Sequence, residues 1–571
     1  MDKPWTKFYE PGVPTSLTYP DISLYELISE ACRQYPDKPA YKFILSYLAG
    51  GRLTIGGKMT YRQLDQAINA FAGALYDMGV RKGDRVALMM PNAPQFVITF
   101  FGAARIGATV VNFNPTYTAP EIKHQLLDSG AETMVIWNMA YPRLKSIQAD
   151  TKVKNVIIAY IHEATSFPFS ILVKSKQKKE KEWNEPALGN GVYSFDALLD
   201  QHKTAPQVQV DPDDVALFQY TGGTTGLPKA AMLTHRNIVA NVLQTKAWLP
   251  ACEIGKEKML AAIPFFHVYG MTIAMIYGLH IGAELLITPN PRLIPLLMDI
   301  IQAEGVTLFP GVPAMYSAII NNKDVAKYNL RSVKACISGS APLHMSVQEK
   351  FGEITGGRLV EGYGLTEAAP VTHCNPVFGR RKEGCIGIPF PDVEARIVGL
   401  DTGLEQPVGQ PGELWVRGPQ VMKGYWNKPE ETAKTVTPDG WLMTGDIATM
   451  DEDGYFRIVD RKKELILVGG FNVYPNEVEQ TLTQHPAVEE AIVIGIPTAD
   501  GNERVKAFVK LKAGQQATEQ EIMDFCKDKL VYYKVPRAVE FRPELPKSQV
   551  GKLLRRVIAD EERSKRTQAP A

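Results

Sequence analysis

Apolar residues at Leu64, Ile68, Phe71 and Leu75 fall on one helical face, and Thr60 with Gln63 forms a capping box ahead of them. The continuous run "RVALMM" from Arg85 then predicts a buried strand, "PQFVITFFGAARIG" a helix and "TVVNFN" a second strand. "EIKHQLLDSG" and "ETMVIW" repeat the unit. Such alternation predicts an α/β fold, with parallel-rich sheets flanked by helices. No repeat of fixed period runs through the chain. Around Asp460 the texture changes, because "YFRIVDRKKELILVGG" passes from strand to a charged junction and back. Beyond it, "PNEVEQTLTQH" and "TEQEIMDFC" read as helices, the second capped by Thr518 and Glu521. "VEEAIVIGI" and "RVKAFVKLK" read as strands. About a hundred residues suffice for a separate α+β domain. The expected division is therefore a large domain over 1–459 and a small one over 460–571. The polar stretch after Ile558, "ADEERSKRTQAPA", is expected to fray.

Composition adds boundaries to this picture. With 571 residues, 22% of them charged and a net charge of +1, nothing favours a nucleic-acid partner. The six cysteines are scattered without a C-x-x-C pair, which predicts reduced core thiols rather than a disulfide or metal framework. The N-terminus lacks the apolar run of a signal peptide. The longest apolar stretches are broken by Arg105 and by His280 and Glu284, so neither reads as a membrane span. A cytoplasmic protein is expected, and a homodimer is compatible with it. One segment stands apart. In "TSFPFSILVKSKQKKEKEW" (165–183), apolar residues precede Lys174, Lys176, Lys178, Lys179 and Lys181. It reads either as a solvated insertion or as a peripheral contact with the inner face of the cell membrane. In the second reading Phe167, Phe169, Ile171 and Leu172 enter the surface while the lysines meet anionic lipid.

Candidate chemistry begins at Tyr220, in "YTGGTTGLPKAAMLTHRN". Glycines let backbone N–H groups converge on an anion, Thr221, Thr224 and Thr225 add hydroxyls, and Lys229 adds a positive charge. Pro228 disfavours an immediate helix, so this is not the G-x-x-x-x-G-K-[ST] loop of P-loop NTPases. Six further stretches follow: "PFFHVYG" (264–270), "SGSAPL" (338–343), "GYGLTE" (362–367), "WLMTGD" (441–446), "DRKKELILVGGFNVYPNEVE" (from Asp460) and "LPKSQVGKLLRR" (from Leu545). In this order, over nearly the whole chain, they resemble the adenylate-forming superfamily of acyl-CoA synthetases, luciferases and adenylation domains.

The resemblance implies a large N-terminal domain, a small mobile C-terminal domain, and a set of roles. Thr221, Gly222, Gly223, Thr224, Thr225, Gly226 and Lys229 would hold the β- and γ-phosphates of ATP. Glu367, helped by Thr221, would bind Mg²⁺, and Thr366 would meet the α-phosphate. Gly339, Ser340 and Ala341, with Gly362, Tyr363 and Gly364, would wall the adenine. Asp446 would clamp the ribose, with Arg461 approaching the same sugar. Lys552 would bridge the acyl carboxylate and the α-phosphate. His267 would gate or orient the meeting of acyl group and thiol. Lys463 matches the hinge, and Gly469 and Gly470 would line the entry of coenzyme A. The chain departs from the common pattern at Gly222, Ala230 and Leu467, where relatives often carry Ser, Gly and Lys. The last points away from luciferase-like and aryl-activating subfamilies.

The wording most resembles bacterial long-chain fatty acid–CoA ligases. "PFFHVYG" lacks the acid that an amino-acid-activating domain uses for a substrate ammonium. Small residues at Gly270, Ala274, Gly278 and Gly282 form a helical face that either packs against protein or leaves room for an alkyl chain among Met271, Ile273, Met275 and Ile276. A medium-chain or aryl-acid CoA ligase is the near alternative. A nucleotide-binding pseudoenzyme scaffold is the alternative from another class, opposed by the intact Lys229, Glu367, Asp446 and Lys552.

Overall fold

The computed structural model describes residues 3–48, 53–180, 183–221, 228–468, 471–498, 503–547 and 553–568, with side chains through 565. Contacts divide the chain into two compact units, Lys3–Glu394 with Arg417–Leu442, and Ala395–Val416 with Met443–Ala571.

The first unit is built on an eight-stranded sheet. Its order is Gly424–Tyr425, Lys229–Thr234, Val215–Thr221, Thr109–Phe113, Arg85–Met89, Thr133–Trp137, Asn155–Ala159 and Val192–Ser194. The last six strands run parallel, as the alternating pattern predicts, and the first two are antiparallel additions. Capping boxes at Ser23, Thr60 and Thr234 start the helices Leu24–Gln34, Tyr61–Asp77 and His235–Trp248. Each cap contributes about 1 kcal/mol by satisfying backbone N–H groups that have no partner within the helix.

Two four-stranded sheets complete this unit. One orders Lys258–Ala261, Glu284–Ile287, Pro39–Leu48 and Leu53–Thr60; the other Ala335–Ser338, Arg358–Gly364, Val371–Cys374 and Ile388–Pro389. Leu308 joins them, bridging to Met259 on one side and Ala335 on the other.

The 165–183 segment contains a helix, Phe169–Lys179, none of whose side chains is buried. Phe167, Ile171 and Leu172 are 79%, 58% and 57% exposed. Trp183 stacks on Tyr160 at 5.0 Å between ring centroids, and the ammonium groups of Lys174 and Lys178 lie 5.2 and 4.9 Å from the Trp183 ring. Two of the five lysines thus turn back onto the protein.

The second unit contains most of a sheet ordered Glu394–Val398, Gly412–Arg417, Leu442–Met450 and Phe456–Arg461. It also holds a three-stranded sheet, Val488–Pro497, Glu503–Leu511 and Ala538–Phe541, packed with helices Pro475–Thr483 and Glu519–Lys527. The frayed tail expected after Ile558 is corrected here, because Arg555–Gln568 is a helix. Among its described side chains, the fully buried one, Ile558, packs with Ile492, Ile494, Ile496, Phe508 and Leu545. Glu562 accepts from Lys506 at 2.7 Å. Ile558 and Ala559 among many charged residues give too weak a periodic signal to read in advance.

Candidate active site

In the first unit the site begins as a hairpin. Thr221 ends one strand and faces Lys229, which begins the next, so the two ends of the glycine-rich stretch are cross-strand partners. Lys229 extends to a carboxylate oxygen of Glu431 at 2.7 Å, and its ammonium lies 4.8 Å from the centre of the Tyr425 ring. Tyr425 pairs with Ala231 on the neighbouring strand, and its hydroxyl donates to Glu367 Oε1 at 2.7 Å. Burial, reinforced by Glu367, raises the phenol pKa, so Tyr425 keeps its proton and acts as donor. The Met422 backbone N–H donates to the Glu367 carbonyl. One aromatic side chain therefore touches both the expected phosphate lysine and the expected metal carboxylate. Neither Tyr425 nor Glu431 is singled out by the sequence.

The two expected adenine walls lie side by side. Ala335–Ser338 and Arg358–Gly364 are parallel neighbours with Ser338 opposite Glu361, so 339–341 leave the sheet beside 362–364, the last residues of the longer strand. A Cβ on Gly339 would come 3.1 Å from the Tyr269 ring, and one on Gly364 would meet the Pro370 carbonyl at 2.1 Å. These glycines are dictated by close approach of other atoms. The Tyr363 ring meets His373 edge to face at 6.0 Å. Thr366 and Glu367 follow at once in a short turn, Thr366–Ala368.

His267 sits on a turn that is held on several sides. Asn92 donates to the carbonyls of Ala261 and Ile263 and accepts from the Phe265 N–H. Gln219, two residues before Thr221, donates to the Phe266 carbonyl and accepts from Asn112. Gln219 was open to detection as a polar residue inside the apolar run "VALFQY". The Tyr269 N–H donates to His267 Nδ1 at 3.3 Å. Burial pushes the His267 pKa down to about 4, so at neutral pH the ring is uncharged and carries its proton on Nε2.

The glycines of the small-residue face after His267 meet protein atoms, as in the packed reading of the two. Gly270–Tyr277 is a π-helix, continued by Gly278–His280. A Cβ on Gly270 would lie 2.2 Å from the Pro264 carbonyl oxygen, one on Gly278 2.6 Å from Leu285, and one on Gly282 2.5 Å from Tyr35. Met271, Ile273, Met275 and Ile276 are buried.

In the second unit Asp446 and Arg461 are cross-strand partners, and the guanidinium Nε lies 3.0 Å from Asp446 Oδ1. Lys462 pairs with Glu413 at 3.0 Å. Glu464 accepts from Arg555, which also binds Glu479 and Asn476. Lys463 lies between these two attachments in the turn Lys462–Glu464. Gly222, Gly223, Thr224, Thr225, Gly226, Gly469, Gly470 and Lys552 lie outside the described residues.

Glu367 and Thr221 offer oxygen donors, which suit a hard divalent cation. Among the described residues no group of three or more His, Cys, Asp or Glu side chains could hold a metal. One carboxylate and one hydroxyl fit an ion whose remaining ligands are phosphate oxygens and water.

Comparison with other proteins identifies the relatives of this chain. Residues 28–426 match the AMP-binding enzyme family, and residues 477–552 match the AMP-binding enzyme C-terminal domain. The chain is 42% identical to a long-chain-fatty-acid–CoA ligase of Bacillus subtilis (strain 168) over 564 residues, 98% of each chain. It is also 42% identical to the long-chain-fatty-acid–CoA ligase of Escherichia coli O157:H7 over 571 residues, 99% of each. ATP-bound MatB from Rhodopseudomonas palustris superposes with a TM-score of 0.82 at 27% identity, covering 95% of this chain and 100% of the other. With both its large and its C-terminal portions matched, the chain belongs to the AMP-binding enzyme family.

Proposed function

We propose that this protein joins a long-chain fatty acid to coenzyme A at the expense of ATP. The observation that carries this reading is its likeness, over almost the full length, to long-chain ligases. The geometry of Lys229, Tyr425 and Glu367 supports the triphosphate part of it. In the first step a carboxylate oxygen attacks the α-phosphorus, a P–O bond forms, and pyrophosphate leaves with the electrons of the broken bond. In the second step the coenzyme A sulfur attacks the acyl carbon and AMP departs.

The roles proposed for individual residues follow the chemistry each can supply. Lys229 and Thr221 to Thr225, with the backbone of Gly222, Gly223 and Gly226, bind the outgoing phosphates. Thr366 donates to the α-phosphate. Mg²⁺, held by Glu367 and Thr221, would neutralise phosphate charge. Gly339, Ser340, Ala341, Gly362, Tyr363 and Gly364 enclose adenine, while Asp446 and Arg461 hold ribose. Neutral His267, with a proton on Nε2, orients the acyl group and thiol without adding charge. Lys552 offsets the repulsion between the two reacting anions. A mobile segment beginning at 460 pivots at Lys463 and brings Gly469 and Gly470 to the coenzyme A path. Lys463 stands between Lys462, which pairs with Glu413, and Glu464, which accepts from Arg555.

AMP release dependent on coenzyme A, measured across acetate, octanoate, benzoate, coumarate, palmitate and oleate, tests the reading. The highest kcat/KM is expected for chains of about twelve carbons or more, each buried CH₂ adding about 0.8 kcal/mol until the site ends. A maximum at acetate or coumarate would overturn it.

A cytoplasmic location with peripheral contact to anionic membrane is proposed for the exposed helix Phe169–Lys179. No helix among the described residues is long and apolar enough to cross a membrane. Replacing Phe167, Ile171 and Leu172 by Ser should abolish co-sedimentation with phosphatidylserine vesicles, and equal sedimentation of both proteins would refute the contact. A homodimer is a separate proposal, read from mass in solution.

A further inference from the structure

Lys229 is not left waiting for phosphate. Its ammonium is held between the Tyr425 ring and a carboxylate oxygen of Glu431, and its side chain is only 23% exposed. Glu431 supplies the opposite charge to this partly exposed cation. The pairing works in both directions, because hydrogen bonding to Lys229 leads the effects that bring the Glu431 pKa down to about 2. The other carboxylate oxygen of Glu431 is 3.2 Å from Lys434, one turn along the same short helix, Pro429–Ala433 and its cap. Tyr425 cannot follow if Lys229 moves. Its N–H donates to Thr432 Oγ1 at 2.9 Å, its backbone pairs with Ala231, and its hydroxyl is engaged by Glu367.

We propose that Glu431 is an internal counter-ion that takes the place of nucleotide phosphate on Lys229 and is exchanged for it when ATP binds. The proposal rests on the reading of Lys229 as the β,γ-phosphate cation. Lys434 makes the exchange inexpensive, because Glu431 keeps one cation when it gives up the other. The consequence is selective. Ligands carrying the β- and γ-phosphates, ATP and pyrophosphate, must displace Glu431, whereas AMP need not. The site thereby discriminates against retained pyrophosphate after the first step while leaving its hold on the adenylate unchanged.

Binding constants for ATP, pyrophosphate and AMP, measured by calorimetry without fatty acid or coenzyme A, test this. Glu431→Gln should tighten ATP and pyrophosphate by about two- to fivefold, the scale of a partly exposed ion pair, with AMP unchanged. Glu430→Gln removes the same charge from an exposed neighbour and should alter none of the three. Unchanged or weaker ATP binding in Glu431→Gln would overturn the proposal, and so would equal tightening of AMP. Lys229→Met separates the two readings, since it should weaken ATP but not AMP. If it leaves ATP binding intact, the phosphate role of Lys229 itself fails. If Lys229→Met weakens ATP while Glu431→Gln does nothing, only the counter-ion proposal fails.

Discussion

His235 illustrates how one side chain can carry a pH dependence. It is fully buried, and its Nδ1 accepts the N–H of Leu24, the first residue of the helix Leu24–Gln34. Burial lowers its pKa to about 4, against the opposing pull of Asp214 and Glu26, while Lys82 adds to the lowering. The unfolded chain takes up a proton near pH 6.5, but the folded chain does not until about 4. Stability from this group is therefore complete above pH 6.5 and lost as pH falls through that window, by roughly 3 kcal/mol at most. His235→Gln should flatten the dependence of the urea midpoint on pH between 4 and 6.5, and an unchanged slope would refute the assignment. At this scale the sequence was a partial guide. Thr221, Lys229 and Glu367 could be singled out in advance because their ordered motifs resemble a known family, and their roles are those proposed above. Tyr425, Glu431 and Asn92 could not, because their roles come from partners far away in the chain.

Among the elements, those with a strong period were legible and those held by a few specific contacts were not. The parallel strands from Arg85–Met89 onward and the capped helix Tyr61–Asp77 announced themselves through apolar spacing and capping residues. The π-helix Gly270–Tyr277 did not, because a fourfold repeat of small residues reads as one face only on an ordinary α-helix. The C-terminal helix depends on Arg555, whose side chain is 15% exposed and which binds Glu464, Glu479 and Asn476. Arg555→Gln would leave Glu479 and the fully buried Asp460 without their nearby cation, a loss of about 3–5 kcal/mol for buried pairs of this kind. Amide exchange at Ile494 and Phe508, beneath that helix, should accelerate accordingly. Arg555→Lys should restore only part of the protection, since an ammonium cannot reproduce the planar fork. Protection equal to wild type in Arg555→Gln would show that the helix is held by Ile558 alone.

For the molecule as a whole, the order of motifs was legible from end to end, whereas the allocation of steps to conformations is a matter for experiment. In the role proposed for Lys552, one cation serves two anions, and removing it is expected to cost about 4 kcal/mol at an effective dielectric near 20, about a thousandfold in rate. Lys552→Ala should abolish adenylate formation yet still convert supplied acyl-adenylate and coenzyme A to thioester. Lys463→Pro should do the reverse by fixing the backbone between two anchored residues. Single-turnover measurements of each step decide, and equal loss of both steps in Lys552→Ala would defeat the division of labour. One further consequence belongs to Leu308, the link between the two smaller sheets of the first unit. Leu260 donates to the Leu308 carbonyl, Phe309 to Ala335, Gly311 to Ile337 and Gly339 back to Gly311. The strand leading to His267 and the strand leading to the proposed adenine wall therefore hang from one thread of backbone. Hydrogen bonds shared by both sheets couple their opening, so a thermally damaged molecule is expected to lose both parts of the proposed site together. Heat should remove nucleotide binding and acyl transfer at the same temperature, and a preparation that has aged should be a mixture of intact and silent molecules rather than a population of uniformly slower ones.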